Sequence, residues 1–245
     1  MNKSNEEVQV PSAETKPESM NLLQRVIGVF NAPKQTFEDI AGRPDWVFPL
    51  ILMIVVTIIM TQLMVPAIIE DYKSSERFEK FMTSDQLTPE QAESAQGMYI
   101  GTMKKFTAVS AGVTTAISSI LAAAILLFIG NIILGGNAKF RQIFAIYCWG
   151  GLVGLLGLIL RTPLALGKMS TKVYFSPAVL FPLEAEKTVL FKIAASLDVF
   201  VIWRVILLAV GFTAVYKIAF GKSIATLGGL YALLVIISLI FSGAL

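Results

Sequence analysis

Histidine is absent from the chain of 245 residues. Its absence excludes the Ser-His-Asp and Cys-His catalytic arrangements, zinc helices that carry two histidines, and haem ligation through imidazole. Cysteine occurs once, as Cys148 within an apolar segment, so neither an internal disulfide nor a thiolate metal cluster can form. The sequence therefore predicts no catalytic residue, no metal site and no cofactor, and a protein that is not an enzyme.

Charged residues are scarce as well. They make up 15% of the chain, whereas hydrophobic residues make up 55%, and the mean hydropathy is +0.71. This composition is far from that of soluble proteins and indicates an integral membrane protein that contacts the lipid bilayer. The net charge is only +3, and the basic residues lie in short loops rather than in one dense patch, which argues against nucleic acid as a partner.

Five apolar runs are long enough to cross the hydrocarbon, which needs about 20 mostly apolar residues in a helix. They predict an all-α polytopic membrane protein, a bundle of five transmembrane helices over about 48–69, 106–134, 143–160, 190–216 and 224–244. Residues 70–105 are charged and predict a helical segment outside the bilayer, in which Thr88 and Gln91 form a capping box. A long loop is expected from Pro163 onward.

The first 47 residues lack a run of that length. Residues 1–20 are polar and predict a disordered tail. Residues 21–47 mix apolar and charged residues at helical spacing, which predicts amphipathic helices at the membrane interface, divided at Pro33. A soluble helical segment packed on the loops is the alternative.

Small residues recur along two of the predicted spans, and such stripes let helices approach closely. We expect the stripes of the second and third spans to pack against each other, with self-association into a homo-oligomer as the alternative. The two stripes consist of Ala108, Ala111, Thr115, Ser118 and Ala122 in the second span, and of Gly150, Gly154 and Gly157 in the third.

The short loops predict the orientation of the spans, because positive residues close to membrane spans stay on the cytoplasmic side. Lys139 and Arg141 lie in one short loop and Lys217 and Lys222 in another, and neither loop contains an acid. Placing both loops inside puts the N-terminus in the cytoplasm and the C-terminus outside.

The fourth span carries an acid and a base, Asp198 and Arg204, and a charge in the hydrocarbon costs about 2.5–3.5 kcal/mol on insertion scales. Asp198 and Arg161 each lie about twenty residues from the basic cytoplasmic loops, roughly 30 Å along a helix, and so share a level at the outer edge of the membrane. We predict that Asp198 faces the bundle and pairs with Arg161 or with another donor at the outer edge. Arg204 lies on a different face, so its contact with Asp198 is less expected. An aspartate that only meets water at the boundary is the alternative.

The fourth span resembles a known family. Leu197-Asp198-Val199-Phe200, Trp203, Leu207-Leu208 and Gly211 are similar to a conserved region of the Yip (Ypt/Rab-interacting protein) membrane domain family. Three further motifs of this chain resemble bacterial members of the family. They are Asn31-Ala32-Pro33 with Phe37, Gly135-Gly136 with Phe140-Arg141-Gln142, and Ser176-Pro177-Ala178. Asp198 and Trp203 match the family pattern, whereas Arg204 departs from it. The resemblance implies a polytopic membrane protein with a cytosolic N-terminus, whose eukaryotic relatives bind prenylated Rab GTPases in vesicle transport.

These features favour a non-enzymatic membrane scaffold or accessory protein in the bacterial plasma membrane, acting through another membrane protein. Its expected partner surface contains Pro33, Phe37, Phe140 and Arg141, and its candidate polar or structural residues are Arg161, Asp198, Trp203 and Arg204. The alternative is a small transporter or channel-like protein in which Asp198 binds a proton or cation, because carboxylates within membranes commonly mark ion pathways.

Overall fold

The computed structural model describes residues 19–83 and 88–241, and within these ranges the fold is all-α. The tail predicted for residues 1–20 therefore lies almost wholly outside the described residues, as does the end of the fifth predicted span beyond residue 241. The α-helices are α1 (Leu22–Asn31), α2 (Pro33–Gly42), α3 (Val47–Lys73), α4 (Glu76–Met82), α5 (Pro89–Phe128), α6 (Phe140–Gly150), α7 (Leu152–Lys168), α8 (Val189–Ser196), α9 (Val199–Tyr216) and α10 (Phe220–Phe241).

Five helical segments in the described chain are long and apolar enough to cross a membrane. They are Val47–Lys73, Glu90–Ile133, Phe140–Lys168, Val199–Tyr216 and Phe220–Phe241. The prediction of a five-span helical membrane protein is therefore confirmed. The capping box at the start of α5 is present as well, since the Thr88 hydroxyl accepts from Gln91 N and the Gln91 side chain accepts from Thr88 N.

Two of the spans differ in detail from the sequence prediction. The loop expected from Pro163 begins only after Lys168, because α7 continues through this proline. Proline removes one backbone hydrogen bond from a helix. α7 nevertheless continues through Pro163, because its packing against α3 offsets this loss. In the fourth span, the chain leaves the helix at Leu197 and Asp198, so that α8 and α9 are separate helices.

The first two helices form a hairpin, and one face of the hairpin is packed into the bundle against α6 and α9. Gly28 allows this close pairing, because a Cβ atom there would lie 2.2 Å from Thr36 Oγ1. Val29, Phe37 and Ile40 are fully buried in the main core. The opposite face of α1 is apolar but exposed, which fits the amphipathic character of this segment; it carries Leu22, Leu23 and Ile27.

A cluster of ion pairs joins α1 to the end of α2. Arg25 is only 5% exposed, and its Nε donates to Asp39 Oδ2 at 2.8 Å, while Arg43 pairs with the other carboxylate oxygen. Burial raises the pKa of Asp39, but the hydrogen bonds from Arg43 and Arg25 outweigh it and hold the pKa below its ordinary value. The charged carboxylate therefore links α1 to the end of α2.

Two of the three glycines in the third-span stripe, Gly150 and Gly157, pack against α9 and not against the stripe of the second span as predicted. In α5, Gly112, which neighbours Ala111 of the stripe, meets α3, where a Cβ would lie 2.6 Å from Ile58 Cγ1. In α7, Gly157 meets Phe200 of α9, with only 2.8 Å available to a Cβ, and Gly154 has no neighbour within 4 Å of that position. The prediction of mutual packing was wrong because a glycine stripe indicates a close approach without indicating which helix fills it.

Candidate functional site

Asp198 occupies the start of α9, where the chain turns out of α8. Its Oδ1 accepts hydrogen bonds from the backbone N–H groups of Phe200 at 2.9 Å and Val201 at 3.3 Å. N–H groups at a helix N-terminus have no acceptor within the helix, and aspartate is among the preferred residues for accepting their hydrogen bonds. The acid that sequence reasoning placed within an apolar run is thus a helix cap.

The remaining carboxylate oxygen of Asp198 is bound by Arg161. Arg161 Nη2 lies 2.9 Å from Asp198 Oδ2, and the side chains are 34% and 12% exposed, respectively. This is the contact predicted from the depth of the two residues. Arg161 lies about two turns before the end of α7, so the pair joins the interior of α7 to the start of α9.

Aromatic rings surround this pair. The Arg161 guanidinium carbon lies 5.7 Å from the ring centre of Phe175, and this ring packs edge-to-face on Phe200 at 5.3 Å. The carbonyl of Phe175 also accepts from Val199 N at 3.0 Å. The loop before α8, the start of α9 and the middle of α7 are therefore fixed together around Asp198.

Arg204 is separate from Asp198, as expected from their spacing, and it makes no ion pair among the described residues. Its guanidinium carbon lies 4.3 Å from the ring centre of Tyr147, which is a cation–π contact between α9 and α6. Nε and Nη2 of Arg204 are buried without a hydrogen-bond partner in the described structure, and so is Nε of Arg161. Buried donors are normally paired, so these three require an explanation.

Trp203, the fourth candidate residue in this region, contacts the N-terminal hairpin. Its ring lies 5.7 Å from that of Phe30 in an edge-to-face arrangement. Trp203 therefore joins α9 to α1, and it lies apart from the Asp198–Arg161 pair.

A second candidate region joins the hairpin to the start of α6. Arg141 Nε donates to Pro44 O at 2.9 Å, and Gln142 Nε2 donates to Ala41 O at 3.1 Å. Further along α6, Trp149 Nε1 donates to Asp45 O at 2.6 Å. We call the exposed side of α2 together with residues 139–141 the hairpin platform.

Not all predicted partner residues belong to this platform. Phe140 is 39% exposed and stacks on Phe144, and Arg141 is exposed. Pro33 is half-buried at the start of α2. Phe37 is fully buried between α6 and α9, so its assignment to a partner surface is corrected; its spacing from the other apolar residues of α2 could equally have indicated a core position.

Sequence reasoning missed a polar cluster near the end of α5. The five residues Ile129–Ile133 form a π-helical turn, and Asn131 within it bonds the backbone of Ala138 through both its amide atoms, at 2.9 and 3.0 Å. Tyr216 donates to Asn131 Oδ1 at 3.1 Å, and its ring fills the space that side chains at Gly130 and Gly136 would need. An asparagine in an apolar run followed by two glycines was the available signal.

Neither the curated proteins nor the solved structures gave a match. The family model described as the Yip1 domain matches residues 27–242, a range that includes the hairpin from the middle of α1 onward, the five long helices and the Asp198 site. On this match, which spans nearly the whole chain, the protein is a membrane protein of the Yip1 domain family.

Proposed function

We propose that this protein is a non-enzymatic membrane scaffold or accessory protein of the bacterial branch of the family, which acts by binding another membrane protein at the hairpin platform. The observation that carries the proposal is the rigid attachment of the N-terminal hairpin to α6. Three side chains of α6 donate hydrogen bonds across about 100 residues of sequence, one to Ala41 O at the end of α2 and two to Pro44 O and Asp45 O in the loop that follows the hairpin. A surface held in one conformation loses little entropy when a partner binds.

The chemistry of the platform favours a partner with both apolar and acidic groups. Phe140 offers an exposed aromatic face, while Lys139 and Arg141 beside it are exposed and basic. Aromatic residues and arginine are enriched at protein interfaces. The Arg141 side chain is already held by Pro44 O, so it presents its charge in a fixed position.

We place the platform on the cytoplasmic side of a bacterial plasma membrane, with the N-terminus inside and the C-terminus outside. The support is the distribution of basic residues, since Lys139 and Arg141 flank the start of α6 and Lys217 and Lys222 flank the turn between α9 and α10, in loops free of acids. Positive residues in short loops remain on the cytoplasmic side.

The alternative is a transporter or channel-like protein that uses Asp198 as a proton or cation site. The surroundings of Asp198 favour a structural role instead, because both carboxylate oxygens already accept hydrogen bonds, from two backbone N–H groups and from Arg161. A cation at Asp198 would have to compete with the arginine for the same oxygen.

Photocrosslinking in native membranes tests the partner proposal. With p-benzoylphenylalanine in place of Phe140, we expect discrete adducts with another protein, because this side chain is exposed at the centre of the platform. The control position for the crosslinker is Leu180, which is 83% exposed in the loop before α8 and lies outside the platform. Absence of adducts at position 140, or the same adducts from position 180, would contradict the proposal.

Cysteine labelling supplies the control for orientation. The native Cys148 is fully buried, so a membrane-impermeant maleimide should report only on an introduced cysteine. Lys139→Cys should be labelled only after the membrane is opened, whereas Glu184→Cys should be labelled in intact cells. The reverse pattern would overturn the orientation without affecting the crosslinking result.

A further inference from the structure

Two neighbouring cavities meet at Arg204, and together they form what we call the Arg204 groove. The first has a volume of about 120 Å³ and is lined by Gly154, Gly157, Leu158, Arg161, Asp198, Phe200, Val201 and Arg204. The second has a volume of about 240 Å³ and also includes Val201 and Arg204. The groove therefore follows α9 from its start at Asp198 to its middle at Leu208.

The first cavity carries an excess of positive charge. Its lining contains two guanidinium groups and a single carboxylate, and both oxygens of that carboxylate already accept hydrogen bonds. The three buried N–H donors without an acceptor, in Arg161 and Arg204, belong to side chains that line this cavity. An anion in this cavity would balance the positive charge of the two guanidinium groups, whereas water would leave that charge uncompensated.

The second cavity is almost entirely apolar. Apart from Arg204, Tyr147 and Tyr231, its lining is aliphatic and comes from α5, α9 and α10. Ile125, Val201 and Leu234 are 53%, 38% and 54% exposed, so the groove opens on the outer surface of the bundle. In a protein that spans the bilayer, this surface faces lipid.

The order of polar and apolar parts along the groove matches that of a phospholipid. Asp198 and Arg161 lie at its end toward the loop that precedes α8, Arg204 lies about 9 Å further along α9, and the apolar cavity continues toward the middle of the span. A lipid in a bilayer likewise places its phosphate near the surface and its acyl chains toward the centre.

We propose that the Arg204 groove binds a phospholipid, with the phosphate held by Arg204 and Arg161 and one acyl chain lying in the apolar cavity. Arg204 and Arg161 line the first cavity, and guanidinium groups are well suited to phosphate because they combine positive charge with several hydrogen-bond donors. This lipid site is independent of the partner proposed for the hairpin platform, because the groove is lined by α5 to α7, α9 and α10 and includes no residue of α1 or α2.

Thermal unfolding of the delipidated protein in detergent tests the site. Added dioleoyl phosphatidylglycerol should raise the Tm in a saturable way, since a ligand that binds only the folded state stabilises it. Dioleoylglycerol, which has the same chains without phosphate, and inorganic phosphate, which has no chains, should not. An equal response to inorganic phosphate would identify a free-anion site, and an equal response to dioleoylglycerol an apolar groove only; either result would overturn the proposal.

Two variants separate the charge from the shape of the groove. Arg204→Gln should weaken phosphatidylglycerol binding on the order of tenfold, because the charged donor is lost. Gly154→Leu keeps both arginines and has free space around the new Cβ, so it should fold normally, fill the first cavity and weaken binding to a similar extent. Lys222→Gln removes a charge outside the groove and should leave binding unchanged. Unaltered lipid binding in both groove variants would show that the lipid binds elsewhere.

Discussion

Replacement of Asp198 by alanine is expected to lower the free energy of unfolding in detergent by about 2–4 kcal/mol. The variant removes the cap of α9, which accepts from Phe200 N and Val201 N, and it also removes the charged partner of Arg161. Loss of a cap costs about 1 kcal/mol and a hydrogen bond to a charged group contributes about 1.5–3 kcal/mol. The lower part of the range applies if water reaches Arg161, which is 34% exposed.

A double-mutant cycle separates the two contributions of Asp198. Asp198→Asn retains a side-chain oxygen that can cap α9 but loses the negative charge, so it should destabilise less than the alanine variant. Combined with Arg161→Gln, it should show a coupling of about 0.5–3 kcal/mol, because residues in direct contact are not additive. Additive effects in the thermal unfolding of the three variants would mean that the ion pair contributes nothing to the joint between α7 and α9.

The close contact between α9 and α6 gives the second large expected effect. Gly211→Ala should destabilise the protein by about 1–3 kcal/mol, the usual cost of overpacking a core. A Cβ at this position would lie 2.3 Å from Ile146 Cγ2 and 3.2 Å from the ring of Phe37. Ile146 and Phe37 are fully buried, so neither has free space into which it can move.

A second glycine provides the matched control for Gly211. Gly228 lies in α10, and a Cβ there would have no neighbour within 4 Å. Gly228→Ala should leave the unfolding midpoint unchanged or raise it slightly, since alanine has the higher helix propensity. Equal destabilisation by the two substitutions would indicate that the contact of α9 with α6 is not as close as the structure describes.

Features set by local sequence pattern or by depth in the membrane could be predicted from the sequence. The five spans follow from hydropathy, because the hydrocarbon thickness fixes the length of an apolar helix. The Asp198–Arg161 contact follows from depth. Each residue advances a helix by about 1.5 Å, and both residues lie about twenty positions from basic loops on the same side of the membrane, so they reach the same level. The capping box at Thr88 and Gln91 is a local pattern and could likewise be predicted from the sequence.

Features set by packing between helices could not be predicted in the same way. The buried face of α2 contains Phe37, and its amphipathic pattern does not distinguish an interface with lipid from an interface with α6 and α9. Gly157 indicated a close contact, but only the fold identifies Phe200 as the neighbour. Pro163 usually ends a helix, and it lies within one here where α7 packs on α3.

We propose that the charged residues within the bundle join helices and bind lipid rather than conduct ions. Ion flux through proteoliposomes that contain the purified protein tests this claim most directly. We expect proton, Na⁺ and K⁺ movement to equal that of protein-free liposomes, for the wild type and for Asp198→Asn alike. Flux that the wild type supports and Asp198→Asn abolishes would contradict the account and identify Asp198 as part of an ion pathway.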